Sequence, residues 1–250
     1  MSSSGSGASF RFVTWNVRSL RDDRAVVAAT LCRLRPDVVA LQEAPRFGLA
    51  RRSLERLASR AGLRVVAGGA ATRGVGLLVG SRVRIVDVRI GRLTRTPKKH
   101  RRAVVAARLL IQRTPLVAAS THLGLSASER LRHVNEIASL LDGFAGDATT
   151  RLLGLDTNEF PGGDVDAALS SAGRVVEVLA GQPDAAPTYP ALAPTARIDQ
   201  IWASPRVRVL RAGVPRLPAL ADASDHLPVV ADLALPVAPP NPAGWDAASS

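Results

Sequence analysis

Two packed β-sheets with helices on their outer faces form the architecture that the sequence predicts, in one domain spanning residues 9 to 236. Three observations point there. Short apolar strand-like runs outnumber helices, without the strict strand–helix alternation of a parallel sheet. The second half repeats the first in kind: a long helix, a strand ending in polar residues, a shorter helix, then strands. No linker divides the middle of the 250 residues, and 46% of them are hydrophobic, enough for one sizeable core.

Taken in order, residues 1 to 8 are Ser/Gly-rich and predict a flexible start. Phe10 to Val17 reads as a buried strand. Asp22 to Arg35 reads as a helix, with acids at its start, apolar residues at mixed three-and-four spacing and a stop at Pro36. Asp37 to Glu43 is a second buried strand, and Arg46 to Ala61 a second helix ending at Gly62. Short strands follow at Leu63 to Ala67, Gly74 to Val79, Val83 to Ile90, Ala103 to Ile111 and Leu116 to Thr121. Arg92 to Arg102 reads as a basic hairpin loop; residues 82 to 102 carry nine Lys/Arg against one Asp. Leu125 to Phe144 is a long amphipathic helix with Ser126 as its cap. Arg151 to Asp156 is a strand, Gly163 to Ala172 a short helix, Arg174 to Val178 an extended piece and Gly181 to Pro194 a Pro/Ala loop. Strands at Ile198 to Ser204, Val207 to Gly213 and Val229 to Leu235 complete the core, and residues 237 to 250 form a low-complexity tail.

The composition narrows the function classes. A lone Cys32, placed by its periodicity as a small buried residue, excludes an internal disulfide framework and a multi-cysteine zinc site. The formal charge of +12 suits polyanionic partners. All but two of the 33 basic residues are Arg, however, in a chain equally biased toward Ala, Val, Leu, Gly and Pro, so charge alone does not select nucleic acid. Met1 to Ser9 has neither a basic start nor an apolar stretch, and no apolar run reaches the ~18 residues needed to span a bilayer. The expectation is a cytoplasmic monomer without a membrane span, with secretion open if a leader has been removed.

The chemistry is carried by polar clusters at strand ends. Asn16 follows Phe-Val-Thr-Trp, and Arg18 would share its face if the strand continued. Glu43 ends Val-Val-Ala-Leu-Gln; a carboxylate at the mouth of a buried strand is costly unless paired or bound to a cation. His122 ends the strand before Leu123. Asp156 and Asn158 can lie on one face with Thr157 opposite. Asp199 stands among apolar neighbours and needs a partner, for which Arg197 is the plain candidate. Asp225-His226 sits between a turn-rich segment and the last strand, with Pro228 at a strand start where a missing N–H costs least. Each cluster alone reads equally as a turn, a cap or a structural hydrogen bond. Together they supply oxygen donors for a hard cation and imidazoles for an anion. His100, in the basic loop, and His133, on the long helix, have no such setting. There is no phosphate loop with a following Lys and no Gly-x-Ser-x-Gly elbow.

In this order and spacing, Thr14-Trp-Asn16-Val, Leu41-Gln-Glu43, Thr121-His122-Leu, Asp156-x-Asn158-Glu, Arg197-Ile-Asp199 and Ser224-Asp225-His226-Leu-Pro resemble the endonuclease/exonuclease/phosphatase superfamily, the fold of deoxyribonuclease I and of exonuclease-III-type enzymes. The resemblance implies an α/β fold, a four-layer α/β/β/α sandwich with two central mixed sheets and the site at one rim. It implies Glu43 as the principal metal carboxylate, with Asn16 and Asp225 close to the cation, which would be Mg²⁺ or Mn²⁺. His122 and His226 would hold the scissile phosphate, Asp199 would orient His226, Asp156 would position or deprotonate water, and Asn158 would bind the phosphate or that water. Arg18, Lys98, Lys99, Arg101 and Arg102 are the candidate substrate-binding cations.

The sequence departs from the family pattern in two places. Leu155 precedes Asp156 where members commonly have Gly, with Gly154 one earlier, so the strand is expected to approach more tightly or shift. Abasic-site enzymes carry tyrosine where His122 stands, so their specificity is not supported. The resemblance leaves open the base, the number of metals and the substrate. That substrate is DNA or RNA in the leading reading, and a phospholipid head group or phosphorylated small molecule in the second. A catalytically idle DNA-binding module is the third.

Overall fold

A computed structural model of the protein describes residues 8–145 and 150–236. Of the expected flexible start (residues 1 to 8), residues 1 to 7 lie outside the described residues, as does the low-complexity tail (237 to 250), while Ala8 is buried. The first sheet contains β1 (Ser9–Asn16), β2 (Val38–Gln42), β3 (Arg64–Ala67), β4 (Gly76–Val79), β11 (Arg208–Gly213) and β12 (Val229–Ala234), in the order β11-β12-β1-β2-β4-β3. The second contains β5 (Val83–Arg92), β6 (Ala103–Ile111), β7 (Thr114–His122), β8 (Thr150–Asp156), β9 (Val176–Glu177) and β10 (Asp199–Ala203), in the order β5-β6-β7-β8-β10-β9. Both sheets are mixed: β1–β2 and β7–β8 are parallel, and their other pairings antiparallel.

Side-chain alternation builds the layers. In β1, Phe10 and Phe12 face the space between the sheets, while Val13 and Trp15 face α1 (Arg24–Leu34) and α2 (Ala50–Arg60). In β6, Ala103, Val105, Ala107 and Leu109 face the first sheet. Val104, Ala106 and Leu110 face α3 (Ala127–Ala145) and the neighbourhood of α4 (Asp164–Ala172). The two sheets therefore enclose one core, and each packs a second core against its own helices, which makes the expected four layers.

Local chemistry sets the helix ends. Asp23 caps α1: its Oδ1 accepts from Ala25 N at 2.8 Å and Val26 N at 3.2 Å, satisfying first-turn donors. The second helix starts at Ala50, later than the expected Arg46, because Gly48 stands at φ +57° outside helical space. Cys32 is exposed rather than buried; it falls on the outer face of α1, whose inner face is Val27, Ala28, Leu31 and Leu34.

Gly154 accounts for the departure beside Asp156. A Cβ there would lie 2.6 Å from Ala40 Cβ and 2.9 Å from Thr14 Cβ, both on the opposite sheet. The strand does approach more tightly, and it does so one residue before Leu155. Gln42, fully buried, bolts the sheets together at this level. Its Nε2 donates to Gly154 O at 3.2 Å and Ser120 Oγ at 3.3 Å, and its Oε1 accepts from Thr14 Oγ1 at 3.2 Å.

Candidate active site

Register brings the polar ends together. Asn16 is level with Gln42 across β1–β2, and Asp156 is level with both His122 and Asp199 across β8. Strand β12 runs antiparallel to β1, so the residues just before Val229 return to the end where β1 finishes. Glu43, His122, Asp156, Asn158, Asp225 and His226 line one cavity of about 460 Å³, while Asn16 and Asp199 lie off its wall, bonded to Asp156 and His226.

Asp156 is the hub. Its Oδ2 accepts from Asn16 Nδ2 at 3.0 Å and lies 3.3 Å from His122 Nε2 and 4.0 Å from His226 Nε2. Its Oδ1 accepts from the Asn158 backbone N–H at 3.0 Å. Thr157 turns away, donating to Ile198 O at 2.9 Å. Asn158 sits at φ +51°, a conformation asparagine tolerates, and its Nδ2 donates to Leu123 O at 3.1 Å.

Asp199 finds its partner in His226 rather than in Arg197. Its Oδ2 is 2.8 Å from His226 Nδ1, while Arg197 pairs with Glu177 at 2.8 Å. That bond leaves Nε2 of His226 facing Asp156. The loop carrying His226 is tied down by Trp15 Nε1, which donates to His226 O at 2.8 Å, and by Ser224 Oγ, which donates to Asn16 O at 2.7 Å. The Tyr189 ring lies 4.7 Å from the His226 ring, centroid to centroid.

Burial and charge separate the two imidazoles. Burial, reinforced by Arg102, His226 and His100, pushes His122 well below its usual 6.5. Burial opposes the charged form of His226 too. Its hydrogen bond to Asp199 and the charges of Asp199, Asp156 and Asp225 nevertheless raise it to about 9. Burial, with Asp199 adding to it, lifts Asp156 from 3.8 to about 7. At neutral pH the site thus holds one charged imidazole, one neutral imidazole and a carboxylate poised to exchange a proton.

Two groups of side chains suit a cation. Glu43, at φ +47°, lines the cavity, and its carboxylate makes no hydrogen bond or ion pair among the described residues. Asp225 lines the same cavity, with Oδ2 3.3 Å from Arg18 Nε. Asn16 Oδ1 accepts from Arg18 N at 3.1 Å and keeps a second lone pair. Asp156, Asp199 and His226 form a second group, each with a ligand atom within 4.8 Å of the others, and could also hold a metal ion. In that trio His226 Nδ1 is already bonded to Asp199, and Asp225 is shared with Arg18, so the unengaged carboxylate of Glu43 is the oxygen donor that best suits a hard cation.

Of the candidate substrate cations, Arg102 stands on the cavity wall; Lys98, Lys99 and Arg101 share its loop but do not line the cavity. Arg18 is engaged by Asp225 and by Asp22 at 3.2 Å, and holds the site rather than lining it. Arg21, Arg46, Arg73 and Tyr189 line the cavity without having been named as candidates in the sequence, and His100, which the sequence reading set aside, lines it too. His100 lay within the basic loop, so its position was the available signal; Arg46 was read as the first residue of a helix that begins only at Ala50, and Arg73 lies in a loop with no periodicity to aim it. His133 stays structural, with Nε2 3.1 Å from Thr94 O.

The sequence matches the endonuclease/exonuclease/phosphatase family over residues 13–226. No curated protein matches it. Solved structures share the fold. A mannosyl-6-phosphatase of Bacteroides thetaiotaomicron VPI-5482 is 16% identical with a TM-score of 0.76, covering 90% of this chain and 100% of its own. The human Nocturnin catalytic domain with bound sulfate is 20% identical with a TM-score of 0.75, covering 91% and 94%. D. rerio TDP2 complexed with a single-strand DNA product is 19% identical with a TM-score of 0.69, covering 90% and 99%. With the family match spanning nearly every strand that feeds the cavity, the chain belongs to the endonuclease/exonuclease/phosphatase family.

Proposed function

We propose that this protein is a divalent-metal-dependent phosphodiester hydrolase, a nuclease that cleaves DNA or RNA by in-line attack of water. The observation that carries the reading is the Asp156 carboxylate, buried between Asn16, His122 and His226 at the floor of a cavity with a basic rim. A carboxylate poised near neutrality meets the requirement for a general base, so Asp156 orients the attacking water and accepts its proton. His226, held charged by Asp199, and neutral His122 present N–H donors to the phosphoryl oxygens, where charge develops in the transition state. Asn158, fixed by its bond to Leu123 O, frames the same face. A Mg²⁺ or Mn²⁺ ion held by Glu43 and Asp225, with Asn16 close by, would neutralise phosphoryl charge as a Lewis acid.

The test is cleavage of plasmid and single-stranded oligonucleotides with Mg²⁺ and with Mn²⁺, before and after chelation and with Asp156→Ala. Loss of a general base is expected to cost about 10²–10⁴-fold in rate. Activity that survives both chelation and the substitution removes this mechanism.

A second reading keeps the site and changes the substrate to a phospholipid head group or a phosphorylated small molecule. The cavity favours it, since its volume lies in the range of sites for small ligands. Ionic strength separates the two, because polyanion binding weakens steeply with salt and a small substrate responds weakly.

A further inference from the structure

Three guanidinium groups stand together on the wall of the cavity. Several partly buried arginines elsewhere reach a carboxylate, Arg11 at Asp232, Arg130 at Glu159 and Arg197 at Glu177, while Arg132 reaches only Thr96 Oγ1, at 2.7 Å, among the described residues. Arg46, Arg73 and Arg102 line the cavity and make no ion pair with a carboxylate among the described residues. Nε of Arg73 and Nε of Arg102 are buried with no hydrogen-bond partner. A buried, unpaired guanidinium is costly, and like charges brought together raise that cost.

The fold holds them there. The Ala44 N–H donates to Gly74 O at 2.6 Å, clamping the segment after β2 to the loop before β4. Gly74, at φ +88°, lets the two loops close: a Cβ there would sit 3.2 Å from Ala44 O and 3.5 Å from Arg46 Cδ. Arg73 itself is held at φ +56°, a conformation that non-glycine residues adopt at a cost. Arg102 enters from the other sheet, at the end of the β5–β6 loop. Arg46 and Arg102 both bear on His122, and Arg102 is drawn by Asp156, Glu43 and Glu129 more than it is repelled by Arg46, which places its charge at the reacting end of the cavity.

A single scissile phosphate, addressed in the proposed function by Asn158 and the two imidazoles, leaves these cations unused, and the cavity is far larger than one phosphate. We infer that Arg46, Arg73 and Arg102 form a second anion subsite, which binds a phosphate group of the substrate other than the one cleaved. The inference rests on the phosphoester reading above and narrows it to substrates bearing two neighbouring phosphates. Such a pair is supplied either by a nucleic-acid strand or by a free bisphosphorylated small molecule.

The experiment compares matched substrates in the presence of Mg²⁺. One arm uses a dinucleoside phosphate with and without an added terminal phosphate; the other uses a sugar bisphosphate and the corresponding monophosphate. For the wild type and for Arg46→Gln, Arg73→Gln and Arg102→Gln, the readout is the ratio of kcat/KM within each pair. That ratio does not depend on how much of a variant is folded. The wild type is expected to favour the two-phosphate member of at least one pair by roughly tenfold or more, the scale of one charge-assisted hydrogen bond. The variants are expected to bring that ratio down toward one. The pair that shows the preference names the source. A wild type that turns over both members of each pair equally, or a preference that survives all three substitutions, overturns the subsite and leaves the proposed function standing. If the wild type hydrolyses nothing, the proposed function falls instead, and calorimetric titration with inorganic pyrophosphate decides the subsite. Binding weakened roughly tenfold by the substitutions supports it, and binding unchanged by them overturns it.

Discussion

At the scale of single residues, the Asp199–His226 pair is the clearest energetic element of the site. Asp199 is fully buried and Oδ2 is 2.8 Å from Nδ1, so the pair exchanges solvent for one charge-assisted hydrogen bond. His226 has a folded-state value raised from 6.5 to about 9. Its contribution to stability is therefore complete below about pH 6.5 and is lost as pH rises through about 9. At about 1.4 kcal/mol per pH unit, the interval amounts to on the order of 3 kcal/mol. Thermal unfolding of chelator-treated protein should show a falling Tm between pH 6.5 and 9. Asp199→Asn should flatten that slope while lowering Tm at pH 6. A wild-type Tm that is level over the interval would disprove the assignment. The need for a partner at Asp199 was legible from its apolar neighbours, but its identity was not. Arg197 is two residues away in sequence and His226 comes from the opposite sheet, just before β12, and only the tertiary fold chooses between them.

At the scale of elements, the strands Phe10–Val17 and Ala103–Ile111 were legible because burial on both faces makes most of their positions apolar, with Arg11, Thr14, Asn16 and Arg108 the exceptions. The start of α2 was not, because the pattern from Arg46 continues smoothly while one glycine, Gly48, takes positive φ and breaks it. The meaning of Gly154 was equally hidden: sequence shows a glycine one place early, and only the opposing sheet shows what it avoids. Gly154→Ala would drive a methyl group to within 2.6 Å of Ala40 and 2.9 Å of Thr14. Forcing a methyl into such a packed core costs typically 1–3 kcal/mol, about the scale expected here. Because Gln42 bonds to Gly154 O, the same change should also disturb the floor beneath Asp156. Denaturant unfolding should show a lower midpoint with an unchanged m-value, together with a fall in activity. A midpoint equal to that of the wild type would mean that the sheets separate without penalty.

At the scale of the whole molecule, a site assembled from strands far apart in the sequence is legible only as a set of motifs in order. Periodicity places each polar residue at a strand end but does not say which ends meet. The sheet orders, with β1 between β2 and β12 and β8 between β7 and β10, make that choice. Charge is the other global property. The chain carries +12, and the β5–β6 loop adds Lys98, Lys99 and Arg101 beside the cavity rather than on its wall. If the substrate is a nucleic-acid strand, such flanking cations meet phosphates beyond the scissile one. Each contact then contributes about 0.7 to the slope of log affinity against log salt for a single strand, and about 0.9 for a duplex. The combined substitution Lys98→Ala, Lys99→Ala and Arg101→Ala should leave the fold intact, since all three are exposed. It should reduce the salt slope of 1/KM on oligonucleotides by roughly 2 to 3, without changing the salt response on a small phosphodiester. If the slope on oligonucleotides stays at its wild-type value, the loop does not touch the polyanion, and the small-molecule reading gains the ground that the nuclease reading loses.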